Sequence, residues 1–298
     1  MHLKTLLKYT VLLTLAALMT ATTFVFGALP MRVVRTVYGR LFYWSGFTVV
    51  AIALAMVGNP LYAMLLLALV VLVGVFAEVE EHGISVFMSG LAGVLSAVGA
   101  TALIGGLWLQ RSKLHLIEEV RNQVTSVLGQ MAKMNPNTVA SVDMVMQQLP
   151  SVLVISLICA LAISLIAEAQ MLRLLGAQQA QQAAVARGRL TLFRVPDALV
   201  WVAIVAIFGA FFKHGNFLVE TVCVNVLNVL VLVFFCQGLA IVAHMFRTYK
   251  VGTFWQNLWY IVLVLQLFLI VSLVGFADFW LEFRERLTRK PAATNKSF

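Results

Sequence analysis

Between Phe217 and Arg247 the chain runs FLVETVCVNVLNVLVLVFFCQGLAIVAHMFR, a stretch long and apolar enough to cross a bilayer. Similar runs recur along the whole chain, and this recurrence constrains the fold more than any other feature. Backbone in hydrocarbon must satisfy its own hydrogen bonds, so each run must be a helix or a barrel strand. The alternation a barrel needs is missing. The expected fold is an all-α, polytopic membrane helical bundle.

The central run also carries Asn225, Asn228, Gln237 and His244. At about 100° per residue, Thr221, Asn225 and Asn228 share one helical face. Gln237 and His244 share another, nearer the far end. Amides in lipid are costly unless partnered, so this helix is expected to face protein or a cavity. Two readings stay open. The amides are glue between helices, or they line a polar pocket to which Gln266 would also contribute.

In a chain of 298 residues that is 62% hydrophobic and 11% charged, eight spans are expected. They are Leu6–Ala28, Leu41–Val57, Leu61–Ala77, Ile84–Leu109, Pro150–Met171, Ala198–Phe212, the central stretch and Phe254–Phe276. The start resembles a signal peptide, but its apolar run is too long for one, so it reads as an uncleaved first span. Pro30 is expected to end that span. A basic stretch with Arg32, Arg35 and Arg40 follows, and its segment as far as Tyr38 is expected along the membrane surface. Gly58-Asn59-Pro60, Asn135-Pro136-Asn137 and Lys213-His214-Gly215-Asn216 read as turns or breaks. Ala17 and Ala21 form a small-xxx-small pair, a candidate partner-docking surface.

The domain reading is one membrane domain, 1–298, with three features inside it. Residues 111–149 form an amphipathic helical insert between the fourth and fifth spans, with apolar positions from Leu114 to Met131 at helical spacing. It could lie on the membrane, cap the bundle or bind a partner. Residues 177–196 are an Ala/Gln-rich linker, and 285–298 are a polar tail.

The net charge of +9 is dispersed, which points to topology and lipid headgroups rather than nucleic acid. Cys159, Cys223 and Cys236 sit in apolar runs and read as packing thiols. Glu78 and His82, four apart, could share a metal, but an acidic solvated loop accounts for EVEEHG more simply. No Walker loop, GxSxG or HExxH is present, and Glu168, Glu220 and Asp278 fall near span ends. No catalytic residue, metal or cofactor is expected, and the chain does not read as an enzyme.

The last third carries a resemblance. FRVP (Phe193–Pro196) leads into a span, followed by the helix bearing Asn225 and Asn228 and ending QGLAIV (Gln237–Val242), then GFADFWLEFRERL (Gly275–Leu287). This resembles the YybS-like bacterial integral membrane proteins, a family of unknown function. That family in turn resembles the S components of energy-coupling-factor transporters, which bind a small molecule and dock through Ala-xxx-Ala in the first helix. The resemblance implies a multi-pass protein of the bacterial cytoplasmic (inner) membrane. It also implies a small-molecule-binding transporter component, with Asn225, Asn228, Gln237 and Gln266 toward the ligand and Ala17 and Ala21 toward another subunit. The alternative expectation is a non-transporting scaffold subunit of an envelope or motility assembly.

A slight Lys/Arg excess places both termini in the cytoplasm. A reporter fused after Phe298 is expected to be active on the cytoplasmic side, and an extracytoplasmic signal there reverses this orientation.

Overall fold

A computed structural model describes residues 3–57, 60–112, 116–134, 141–212 and 217–288. The turns expected at Gly58-Asn59, Asn135-Pro136-Asn137 and Lys213–Asn216 lie outside the described residues, as does the tail beyond Thr288. Among the described residues the secondary structure is entirely helical. The chain forms two compact units, Met1–Arg187 and Gly188–Phe298. The division falls inside the 177–196 linker.

In the first unit, α1 (Leu3–Thr23) passes through a 3₁₀ turn into α2 (Ala28–Met56). Pro30 does not end a span. It lies in the first turn of α2, where its missing N–H costs nothing. Gly39 then breaks α2, with φ 82° and ψ −179°, a backbone region open almost only to glycine. The break leaves an inner leg, residues 28–38, and an outer leg, residues 40–56.

The inner leg is buried on all sides: Ala28, Met31, Val33 and Val34 are inaccessible, and Arg32 and Arg35 are buried with them. A leg with two arginines among apolar side chains can be enclosed only where the arginines find partners. This one packs against α1, α3 (Pro60–Glu81) and α6 (Val142–Leu174). Arg32 and Arg35 of the basic stretch, expected on the membrane surface, are thus inside the unit, and Arg40 is exposed. The outer leg is pinned by two hydrogen bonds, Tyr9 Oη to Phe42 O and Tyr43 Oη to Val70 O, both 2.7 Å.

α3 supplies the centre of the core, from Leu66 through Phe76. α4 (Val86–Ser112) packs closely along it. α6 begins eight residues before the Pro150 expected to open it, because Ser141 caps it by accepting from the Met144 N–H at 3.2 Å. It ends where Gly176 turns left-handed (φ 66°) and the Ala177 N–H reaches Leu172 O. α5 (Leu116–Met134) is the expected amphipathic helix. Val120, Val124 and Leu128 form a half-buried stripe, and α5 packs against α6. Arg121 bonds Asp143 at 3.1 Å. The linker contains α7 (Ala180–Arg189).

The second unit contains α8 (Ala198–Phe211), α9 (Phe217–Thr248), α10 (Thr253–Leu265), α11 (Phe268–Leu281) and α12 (Phe283–Thr288). α9 is its axis, packed against α8 and α11. The α9–α11 crossing is a backbone-to-backbone contact. A Cβ on Gly275 would overlap the Phe234 carbonyl oxygen, and one on Gly238 would overlap that of Val271. Without a hydrophobic drive between helices in lipid, such close approach supplies the packing contact instead.

Eight spans are expected from sequence, yet among the described residues length and composition make only five stretches able to cross a membrane, or six with one bent pair. The difference from eight has three causes. α1 and α2 join into one stretch, Thr5–Met56. α8 has 14 residues, too few alone. α10 and α11 are bent by 96°, so they count together as one broken span at most.

Gly275→Ala should lower the thermal stability in detergent by about 1–3 kcal/mol or more, because the added methyl meets backbone. Gly106→Ala, where a Cβ meets nothing within 4 Å, should leave it unchanged or raise it slightly. Equal melting temperatures for the two variants would contradict the close crossing.

Candidate functional site: a charged cavity in the first unit

Arg32, Arg35 and Thr36 follow i, i+3, i+4 spacing on the inner leg of α2, so they share a face. Glu80 and Glu81 close the last turn of α3, where the helix dipole disfavours negative charge. Those carboxylates therefore need cations, and the inner leg supplies them.

Arg32 joins three helices. Its Nε donates to Glu168 Oε2 of α6 at 2.6 Å, and its Nη2 to Glu80 Oε2 at 2.8 Å. Its guanidinium lies 5.0 Å from the Phe76 ring centroid. Thr36 Oγ1 donates to the other oxygen of Glu168 at 2.6 Å, so both carboxylate oxygens are held. Arg32 and Glu168 side chains are only 7% and 6% exposed. Nearby, Glu78 Oε1 forms an ion pair with Arg40 Nε at 3.0 Å and accepts from Trp44 Nε1 at 2.7 Å. Glu168, expected near the membrane interface, is thus a core residue. EVEEHG is the paired end of a helix rather than a solvated loop.

Beside this network lies a cavity of about 250 Å³. Arg32, Arg35 and Thr36 form one wall, Glu80 and Glu81 a second, and Gln179 and Gln182 a third. Arg35 differs from Arg32. Its side chain is 7% exposed and its Nη2 lies 2.8 Å from Glu81 Oε1. That contact has ion-pair distance without hydrogen-bond geometry, and Arg35 Nε has no acceptor among the described residues. A buried guanidinium with an unused donor bordering a cavity can take an anionic oxygen.

The residues singled out from sequence lie elsewhere. Asn225 and Asn228 are half-buried on α9, and Asn225 Nδ2 donates to Thr221 O of its own helix at 2.8 Å. Gln237 is buried. It accepts from the Val195 N–H at 2.9 Å and donates to Gly275 O at 3.1 Å and Asp278 Oδ2 at 3.3 Å. It therefore ties together the three motifs FRVP, QGLAIV and GFAD. Asp278 Oδ1 also accepts from the Phe283 N–H at 3.0 Å, and Arg284 Nη2 donates to Phe193 O at 2.7 Å. Burial lowers the Arg284 guanidinium below its ordinary value, with Asp278 opposing and Arg194 assisting. Gln266 is exposed at the end of α10. Ala17 packs half-buried against the core of the first unit, and Ala21 is exposed. None of these residues lines the cavity. Among the described residues, no group of three or more His, Cys, Asp or Glu side chains could hold a metal ion.

The fold and its lipid-length helices define a polytopic α-helical membrane protein. The chain belongs to a family described as "Predicted membrane protein (DUF2232)", whose model matches residues 8–279, and the YybS-like resemblance fits that family. No curated protein and no solved structure matches the chain.

Arg32→Met leaves the buried Glu168 and the half-buried Glu80 without their shared cation, and should destabilise the protein by about 3–5 kcal/mol. Adding Glu168→Met should recover part of the loss, since a buried ion pair can be replaced by apolar side chains of similar size. Thermal unfolding of the single and double variants measures the coupling.

Proposed function

We propose that this protein binds a small molecule in the cavity of its first unit, as the ligand-binding component of a transport system in the bacterial inner membrane. The observation that carries the reading is Arg35. Burying a guanidinium with an unused donor has an energetic cost, and a cost kept beside an open cavity marks a binding position. The resemblance to energy-coupling-factor S components supplies the transport context. In that context the exposed flank of α1 around Ala21 is the face offered to a partner subunit. The cavity's groups hold and orient, and we read them as binding rather than catalytic.

The test is native mass spectrometry of protein extracted from its own membranes. Wild type should carry a bound small molecule, and Arg35→Gln should lose it while keeping its helical content. Full retention by Arg35→Gln overturns the assignment of the site. So does a wild type that carries no adduct and is not stabilised by a small-molecule extract of its source cells.

A further inference from the structure

We infer that the ligand is a small zwitterion of the free amino acid class, its carboxylate on Arg35 and its ammonium on Glu81. This inference rests on the cavity being a binding site.

Charge selects the class. Two cations, Arg32 and Arg35, face three carboxylates, Glu80, Glu81 and Glu168, so the cluster carries one excess negative charge. A purely anionic ligand would add to that excess beside the buried Arg32–Glu168 pair, where charges are little screened. A purely cationic ligand would restore neutrality but leave the Arg35 Nε donor unfilled. A zwitterion adds no net charge and supplies both an acceptor for Arg35 and a donor for the carboxylates.

Geometry divides the roles. Arg32 is held on both sides by Glu168 and Glu80, and Thr36 is committed to Glu168. Their polar groups form the fixed wall. Arg35 and Glu81 meet through a single contact without hydrogen-bond geometry, so this pair can open. A ligand carboxylate can take Nε and Nη2 together in the two-pronged arrangement guanidinium favours. Glu81, whose side chain is 60% exposed, then turns its oxygen to the ammonium. Gln179 and Gln182 supply amides at the rim, where a side chain would lie.

Size agrees with this class. Sites for drug-sized ligands measure roughly 300–1,000 Å³. At about 250 Å³ this cavity suits a smaller solute.

The experiment is equilibrium binding to the detergent-solubilised full chain, using the twenty proteinogenic L-amino acids as probes. The tightest binder is then compared with its methyl ester, which lacks the carboxylate, and its N-acetyl form, which lacks the ammonium. At least one amino acid should bind, and each blocked form should bind about thirtyfold more weakly or worse. Arg35→Gln should weaken the parent amino acid. Because that variant removes a buried group, Glu81→Gln at the exposed edge provides the second arm. It should weaken the parent amino acid and leave the N-acetyl form unaffected. Binding of either blocked form as tight as the parent overturns the inference, as does unchanged affinity in Glu81→Gln. A co-purified ligand with only one charged group removes the zwitterion and leaves the binding site standing. Absence of any ligand, endogenous or added, removes both.

Discussion

One guanidinium shared between two carboxylates holds the first unit together. Arg32 reaches Glu80 on α3 and Glu168 on α6 from a helical leg with no exposed side. A charge so placed is tolerated only if its partners are present and correctly aimed. Its presence therefore fixes the end of α3 against α2 and the end of α6 against both. The same requirement explains why acidic residues can close α3 against the helix dipole. The cavity follows from this arrangement. With Arg32 saturated, the neighbouring Arg35 has only the more exposed Glu81, and space remains where Gly39 and Ala77 contribute little bulk.

The second unit solves the same packing problem by other means. Its axis, α9, meets α11 through two glycines that let carbonyl oxygens approach the facing backbone. Its polar anchor is an amide rather than a guanidinium. Gln237 satisfies one backbone N–H, one carbonyl and one carboxylate oxygen. Such a clamp fixes how residues 193–196 and 275–278 sit against α9 without burying a cation at the centre. The two units thus differ in what they can do chemically. One keeps a partly unsatisfied ionic site beside open space, and the other closes its amide within the fold.

The helical membrane character was legible in the sequence, because lipid-length apolar runs admit few structures. So was α5, whose stripe of Val120, Val124 and Leu128 repeats every fourth residue. The break at Gly39 was not, because a lone glycine between Tyr38 and Arg40 does not announce a change of direction. The charged cluster was missed for a related reason. Arginines near a proline and glutamates near a glycine read locally as surface and loop. Their burial is decided by partners 48 and 136 positions away. A signal was available in Arg32, Arg35 and Thr36, spaced for one helical face and interleaved with Met31, Val33 and Val34. Gln237 was singled out correctly as a polar residue needing partners, but periodicity could not say that those partners were backbone groups of two flanking motifs.

The distance along the chain between Arg32 and Glu168 sets an order on biogenesis. At about 5–20 residues per second, a ribosome needs on the order of ten seconds to make the 136 residues that separate them. Glu80 emerges early in that interval and Glu168 at its end. For most of that time the nascent bundle has an arginine with one of its two final counter-ions, and an inner leg whose third wall has not yet been synthesised. The unit can close only when α6 arrives, so the step that completes its charge balance is also the step that ends its assembly.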